Sequence, residues 1–303
     1  MKSFAVGIDG GGSKTEALLL DLESGESISV FAGGINSIVD GNDTTQANLR
    51  ELLYRIKACL SEREGDLLSI CIGSASIIRE PQGYWAMRLL SEAFPTAKLT
   101  GLGDCRIALE GALGGGPGLI VVAGTGSMAY AIGPDGTIRQ CGGFGPLFGD
   151  EGSGYDIGRE ALRAVAMQLD GRGEGTLLTE TLQAAIGFVT EEDLIDRTYG
   201  DFSRKDIAAL TEYVGACALQ GDFVARRILQ EAAKHLSELL LSLIDRIAWN
   251  ERPLMSYAGG VFQMGSLILD PLREHLGNWA TQLRHPLGSP ANGAAMLAVK
   301  EMG

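Results

Sequence analysis

Residues 121–127 read VVAGTGS, an apolar run that ends in a glycine-rich turn with two hydroxyl side chains. Residues 5–15, AVGIDGGGSKT, have the same form near the start of the chain. When the two stretches are aligned, three pairs of identical residues coincide: Gly10 with Gly124, Gly12 with Gly126, and Ser13 with Ser127. Two glycine turns, each after a buried strand, indicate that the chain contains the same fold twice.

The first turn opens a series of predicted elements. FAVGID (4–9), TEALLLDL (15–22) and ISVFAG (28–33) predict three antiparallel strands. Residues 44–63 then carry apolar side chains at helical spacing. LLSICIGSA and AKLTGL predict two further strands, each followed by a helix. The order is three strands, helix, strand, helix, strand, helix.

The second turn opens a similar series. LIVVAG, SMAYAIG and IRQCGG predict three strands, followed by a long helical block over about 155–248, the strand MSYAGG, a helix, and a last helix from Pro290. Because 43 of the 303 residues are glycine, chance matches of single turns are expected. The turn, the hairpin and a closing glycine pair recur in the same order, which favours duplication of an α/β domain over coincidence.

Composition limits the class of protein. The net charge of -13 argues against a nucleic-acid partner, because phosphate binding requires Lys and Arg. No apolar run approaches the ~18 to 20 residues of a membrane helix, and no signal peptide precedes the first strand, so we expect a cytoplasmic protein with no membrane partner. The five cysteines are scattered without a C-x-x-C pair, as expected of free thiols.

The glycine turns predict phosphate binding. Consecutive backbone N–H groups without side chains form a concave site that binds phosphate oxygens. Neither turn matches G-x-x-x-x-G-K-[ST], and each joins two strands, whereas a P-loop or a dinucleotide fingerprint places phosphate at a helix N-terminus. Two such turns could hold a triphosphate from both sides.

Several motifs resemble a known superfamily. GIDGGGSKT, AGTGS and SYAGGV resemble the two phosphate motifs and the adenosine motif of the sugar kinase, actin and heat-shock ATPase superfamily. CGGFGPLFGDEGSGYDIG (141–158) is similar to the signature of the N-acetylglucosamine kinase family, which is related to glucosamine kinases and BadF/BadG-type ATPases. The resemblance implies an α/β fold of two ribonuclease H-like (actin-like ATPase) domains with a cleft between them. The expected domains are 1–115, with helix 290–303 packed back on it, and 116–289, with the helical insertion at about 155–248.

The resemblance also implies roles for single residues. Asp104 matches the catalytic base that accepts the proton of the sugar 6-hydroxyl, and Asp9 matches the acid that holds Mg²⁺. The residues that match sugar-binding positions are Asn36, Gly143, Phe144, Gly145 and Asp150. Those that match ATP-binding positions are Gly10, Gly11, Gly12, Ser13, Gly124, Thr125, Gly126, Ser127, Ala208, Gly259 and Gly260. The implied ligands are an amino sugar, ATP and Mg²⁺, and a homodimer is common in such families.

Alternatives remain for the residues and for the function. Asp104 could instead cap the helix that follows it, and Asp150 could be a solvated loop acid. Phe144 stands where mammalian members of the family carry Trp, so the wall of the sugar site differs. N-acetylglucosamine is the favoured acceptor, with glucosamine as the alternative. Another class is an ATPase activator of a radical dehydratase, which requires paired cysteines for an iron–sulfur cluster. A third is a sugar-responsive binding protein without catalysis.

Overall fold

The computed structural model describes residues 2–36, 42–77 and 84–302. The chain divides into two compact units. Unit 1 consists of Met1–Gly116 together with His285–Gly303, and unit 2 is Pro117–Arg284. The last helix of the chain therefore belongs to the same unit as the first strand.

Unit 1 is built on a five-stranded sheet of order β3-β2-β1-β4-β5. Its strands are β1 (Lys2–Gly10), β2 (Lys14–Asp21), β3 (Ser27–Gly33), β4 (Gly65–Gly73) and β5 (Lys98–Leu102). The first three strands are antiparallel neighbours, as predicted, whereas β4 and β5 run parallel to β1. The carboxyl ends of β1, β4 and β5 therefore lie at one edge of the sheet.

Helices cover this sheet. They are α1 (Asn42–Glu62), α2 (Tyr84–Ala93), α3 (Asp104–Leu113) and, from the end of the chain, α11 (Pro290–Lys300). On one face of β1, Phe4 and Ile8 pack in a core with Leu49 of α1. On the other face the side chains are small, and a Cβ at Gly7 would lie 2.1 Å from the backbone N of Ala295. Glycine at this position lets α11 lie directly against β1.

Unit 2 contains a four-stranded sheet of order β8-β7-β6-β9. Its strands are β6 (Gly118–Ala123), β7 (Ser127–Ile132), β8 (Ile138–Gly142) and β9 (Met255–Ala258). β6, β7 and β8 are antiparallel neighbours, and β9 runs parallel to β6. This arrangement repeats that of β1, β2, β3 and β4 in unit 1, so the predicted duplication is present in the sheet topology.

Between β8 and β9 the chain forms the predicted helical block. Its α-helices are α4 (Gly154–Leu169), α5 (Leu177–Leu182), α6 (Glu191–Gly200), α7 (Arg204–Ala209), α8 (Thr211–Leu219) and α9 (Phe223–Arg246), and α10 (Ser266–Leu276) follows β9. Many of these helices begin at a side chain that accepts a hydrogen bond from a first-turn N–H, and the caps are Ser153, Thr176, Thr190, Ser203 and Asp222. The apolar faces of the other helices, without α7, pack with β6 and β7 in one core. None of the helices in the described ranges is long and apolar enough to cross a membrane.

Candidate functional site

Two of the predicted acids lie at the same edge of the unit 1 sheet. Asp9 pairs in register with Gly73 of β4, and Gly73 pairs with Leu102, the last residue of β5. Asp104 follows Leu102 by two residues and is the first residue of α3. Because parallel strands end at one edge, the sheet brings together two carboxylates that are far apart in sequence.

The environment of Asp9 disfavours its charged form. The pKa of the Asp9 carboxyl is raised from 3.8 to about 6, mainly by burial and then by the nearby charges of Asp104 and Glu16, whereas Lys14 lowers it. A carboxyl group with too little compensating positive charge is a suitable place for a cation. The interaction with Asp104 also shows that the two acids are electrostatic neighbours.

Asp104 is not the N-cap of its helix. The N-cap of α3 is Gly103, which has no side chain to bond the first turn. The Oδ1 atom of Asp104 instead accepts a hydrogen bond from the backbone N–H of Cys105 at 2.8 Å. This bond orients the carboxylate at the positive end of the helix, and Asp104 is half-buried. The interpretation of Asp104 as the N-cap is therefore wrong. Its carboxylate is instead held at the first residue of α3.

The first glycine turn is held by backbone bonds. The N–H of Gly11 donates to the carbonyl of Lys14 at 3.2 Å, and the carbonyl of Gly11 accepts from the N–H of Ile35 at 3.0 Å. A Cβ at Gly10 would lie 2.6 Å from the Ile35 side chain. Asn36 directly follows Ile35, so the predicted sugar-binding residue is next to the turn that contains Gly12 and Ser13.

The second glycine turn lies against a buried acid. The N–H of Ser127 donates to Oδ1 of Asp150 at 3.3 Å, and the Ser127 hydroxyl donates to the carbonyl of Glu151 at 2.6 Å. Asp150 is 4% exposed, with φ of 62°. A Cβ at Gly126 would lie 2.9 Å from Oδ2 of Asp150. Asp150 is thus a buried neighbour of the phosphate turn, not a solvated loop acid.

The loop before Asp150 exposes aromatic side chains. Gly143 and Gly145 have φ of 77° and 85°, and the N–H of Gly143 donates to the carbonyl of Ser127 at 2.9 Å. Phe144, between them, is 67% exposed, and its ring centroid is 6.3 Å from that of Phe148. An exposed aromatic surface of this kind can pack against the apolar face of a sugar ring.

The predicted adenosine motif lies beside the second turn. Gly259 directly follows β9 with φ of 107°, and a Cβ there would lie 2.3 Å from the carbonyl oxygen of Ala123. Only glycine allows the backbone to come so close to the end of β6. Gly260 begins a 3₁₀ turn, Gly260–Met264. The Cβ of Ala208 lies 3.4 Å from the Cβ position of Gly154, whose N–H donates to the carbonyl of Gly124 at 2.8 Å. Gly124, Ala208 and Gly259 therefore lie in one region, around the end of β6.

The sequence analysis missed three other polar residues near the predicted site residues. Ser74 and Ser76 are buried after β4, with their hydroxyl oxygens 3.2 Å apart. Their position at the end of the central parallel strand was a signal that could have identified them. Arg204 donates from Nη2 to Oδ2 of Asp150 at 2.8 Å. It is 54 residues from its partner, and no motif in the sequence points to it.

The acids of unit 1 suit a magnesium ion that arrives with a phosphate ligand. Within the described ranges, no group of three or more His, Cys, Asp or Glu side chains could hold a metal ion by itself. Magnesium commonly binds through one or two carboxylates plus phosphate oxygens and water. Burial and the charge of Asp104 raise the pKa of Asp9, and a bound cation would favour its charged carboxylate. Asp9 is therefore a suitable ligand for a magnesium ion whose other ligands come from ATP and water.

Comparisons with known proteins agree with this chemistry. Residues 6–298 match the family model described as the BadF/BadG/BcrA/BcrD ATPase family. The N-acetylmuramic acid/N-acetylglucosamine kinase of Clostridium acetobutylicum is 32% identical over 275 residues, which cover 90% of each chain. The N-acetyl-D-glucosamine kinase of Dictyostelium discoideum is 29% identical over 317 residues, covering 98% of each chain. The crystal structure of a candidate N-acetylglucosamine kinase from Chromobacterium violaceum superposes with a TM-score of 0.78, at 26% identity, covering 97% of this chain and 98% of that one.

Proposed function

The chain belongs to the BadF/BadG/BcrA/BcrD ATPase family, and from this premise we propose that it transfers the γ-phosphate of ATP to the 6-hydroxyl of an amino sugar, preferably N-acetylglucosamine. Its fold is the α/β fold of the actin-like ATPases, with two ribonuclease H-like domains, as predicted. The expected domain bounds, 1–115 with 290–303 and 116–289, are part of this proposal. The observation that carries the proposal is the pair Asp9 and Asp104 at the edge where β1 and β5 end, beside a glycine turn.

Asp104 is the proposed general base. Its carboxylate is oriented by the N–H of Cys105 and can accept the proton of the sugar 6-hydroxyl. As that oxygen bonds to the γ-phosphorus, the bond from this phosphorus to the β–γ bridging oxygen breaks, and ADP leaves. Phosphoryl transfer requires mainly positioning and charge stabilisation from the protein, so one base is sufficient.

The remaining predicted residues hold the two substrates. We assign the turn residues Gly10 to Ser13 and Gly124 to Ser127 to the phosphates, and Ala208, Gly259 and Gly260 to the adenosine. Mg²⁺ carried by ATP would be held by Asp9 and would neutralise phosphate charge. The proposed sugar-binding residues are Asn36, Gly143, Phe144, Gly145 and Asp150.

The relatives and the aromatic loop support N-acetylglucosamine as the proposed acceptor. Two relatives are named as kinases of N-acetylated amino sugars. Exposed Phe144 offers an apolar contact to an acetamido methyl group, which glucosamine lacks. The dehydratase-activator alternative needs cysteines near a subunit surface, whereas Cys59, Cys71, Cys105 and Cys217 are buried. A homodimer remains a prediction, which light scattering of the purified protein would test.

A coupled assay of ADP release tests the proposal. The wild-type protein with ATP and Mg²⁺ is given N-acetylglucosamine, glucosamine, N-acetylmannosamine, N-acetylmuramic acid or glucose. We expect the highest kcat/KM for N-acetylglucosamine and a loss of about 10²- to 10⁴-fold in Asp104→Asn. Asp43→Asn, an exposed acid in the first turn of α1, is the matched control and should retain activity. Sugar-independent ATP hydrolysis, or full activity in Asp104→Asn, would contradict the proposal.

A further inference from the structure

The carboxylate of Asp150 creates an electrostatic problem for the second phosphate turn. Its two oxygens lie 2.9 Å and 3.0 Å from the Cβ position of Gly126, and Oδ1 accepts from the N–H of Ser127. The side chain is almost fully buried, so water screens its charge poorly. A negative charge at this place opposes the binding of phosphate oxygens to the same turn.

Arg204 supplies the compensating charge. Its Nη2 donates to Oδ2 of Asp150 at 2.8 Å, which leaves Oδ1 for the N–H of Ser127. The guanidinium carbon lies 5.7 Å from the centroid of the Tyr155 ring, a second contact that restricts the side chain. Arg204 is 48% exposed, whereas Asp150 is buried, so the pair places its acid under the turn and its base toward solvent.

The backbone of Arg204 is fixed by close helix packing. Arg204 is the first residue of α7, whose N-cap Ser203 forms a capping box with Asp206. α7 lies so close to α4 that a Cβ at Gly158 would be 2.0 Å from the carbonyl oxygen of Ile207. The start of α4 is bonded in turn to Gly124 of the phosphate turn. The arginine is therefore positioned by the same packing that holds the turn.

We propose that Arg204 is a positioning residue for nucleotide binding. By pairing with Asp150, it holds the 150–153 segment against the Gly124–Ser127 turn and cancels the charge that would repel the phosphates. The inference rests on the proposed function, because it assigns the Gly124–Ser127 turn to the phosphates of ATP. It adds that Arg204, through its bond to Asp150, influences how strongly that turn binds an anion.

Nucleotide binding without turnover tests the inference. Displacement of a fluorescent ATP analogue gives the Kd of ATP and, separately, of adenosine, which has no phosphates. We expect Arg204→Gln to raise the Kd of ATP about tenfold and to change that of adenosine less than about twofold. Arg204→Lys retains the charge and should recover most of the ATP affinity. Equal changes for ATP and adenosine would show a merely structural role and would overturn the inference.

The chain offers a matched control. Arg227 has its Nη1 2.7 Å from Oε2 of Glu174, is 49% exposed, and lies 5.5 Å from the centroid of the Phe223 ring. It therefore repeats the environment of Arg204 but pairs with an acid that is 58% exposed. Arg227→Gln should leave both Kd values unchanged. If it weakens ATP binding as much as Arg204→Gln does, the effect is general charge loss and the inference fails.

A double variant covers the case in which Arg204→Gln does not fold. In Asp150→Asn combined with Arg204→Gln, neither charge remains, so the ratio of the two Kd values should return to within about twofold of the wild type. If the Kd of ATP divided by that of adenosine stays about tenfold higher than in the wild type, the inference is overturned. The outcomes are separable from the proposed function: absence of sugar-dependent ADP release in the wild type refutes the kinase, whereas the Kd ratios test Arg204 alone.

Discussion

Replacing Asp9 by Asn should stabilise the ligand-free protein, and by an amount that depends on pH. The pKa of Asp9 rises from 3.8 to about 6, mainly through burial and then through Asp104 and Glu16. At 1.36 kcal/mol per pH unit, this difference corresponds to about 3 kcal/mol. Below pH ~4 the Asp9 carboxyl is protonated in the folded and the unfolded state. Its ionisation therefore does not lower the free energy of unfolding. Between pH ~4 and ~6 the unfolded state ionises first, so the wild type loses stability relative to Asp9→Asn, and above pH ~6 the full difference remains.

Denaturant unfolding measures this difference if the signal comes from unit 1. Of the three tryptophans, Trp85 lies in unit 1, and Trp249 and Trp279 lie in unit 2. We would replace the latter two by Phe in both proteins and follow Trp85 fluorescence between pH 4 and 8. Saturating Mg²⁺ and ATP should reduce the difference, because ligands stabilise the charged carboxylate of the wild type.

Asp21→Asn is the control, and we expect it to change the free energy of unfolding in the opposite direction. Backbone N–H groups of Glu23 and Ser24 hold the pKa of Asp21 at about 2, below its ordinary value of 3.8. Asp21→Asn should therefore destabilise the protein above pH ~4, and the effect should vanish as pH falls toward ~2. A difference between the wild type and Asp9→Asn that is constant from pH 4 to 8 would refute the reasoning about Asp9.

Further predictions concern stability and substrate binding. Glu110 is buried and accepts a hydrogen bond from Lys300 of α11, so Glu110→Ala should lower the free energy of unfolding of unit 1 by about 2 to 4 kcal/mol in denaturant titrations. Gly259→Ala should weaken ATP binding and lower the thermal midpoint, whereas Gly175→Ala, at a site where a Cβ meets nothing within 4 Å, should change neither. Phe144→Ala should raise the KM for N-acetylglucosamine about tenfold in the coupled assay and leave the KM for ATP unchanged.

Much of the fold could be predicted because its signals are local. Strands β1 to β3 and β6 to β8, the two glycine turns and the helical block follow from apolar periodicity and turn residues. The family resemblance, confirmed by the match over residues 6–298, depends on short motifs of the same kind. The roles assigned to single site residues, in contrast, stay predictions that the proposed variants test.

The environment of each site residue could not be predicted in the same way. The sequence offered two interpretations for Asp150, a sugar ligand or a solvated acid. The structure shows a buried carboxylate bonded to Ser127 and Arg204, which excludes the solvated acid and leaves the sugar ligand as a proposal. Ser74 and Ser76 became part of the site region only when β4 was placed between β1 and β5. These features depend on residues that lie far apart along the chain.

The sequence by itself determined the repeated order of strands and helices, the two turns rich in backbone N–H groups, and the positions of Asp9 near the end of β1 and of Asp104 after β5. Those features depend on neighbouring residues and on side-chain size. Only the tertiary structure decided that Asp9 and Asp104 are electrostatic neighbours and that Arg204 compensates Asp150. Charge compensation depends on distance and burial, and both arise when separate elements pack: β1 with β4 and β5 in unit 1, and α4 with α7 in unit 2.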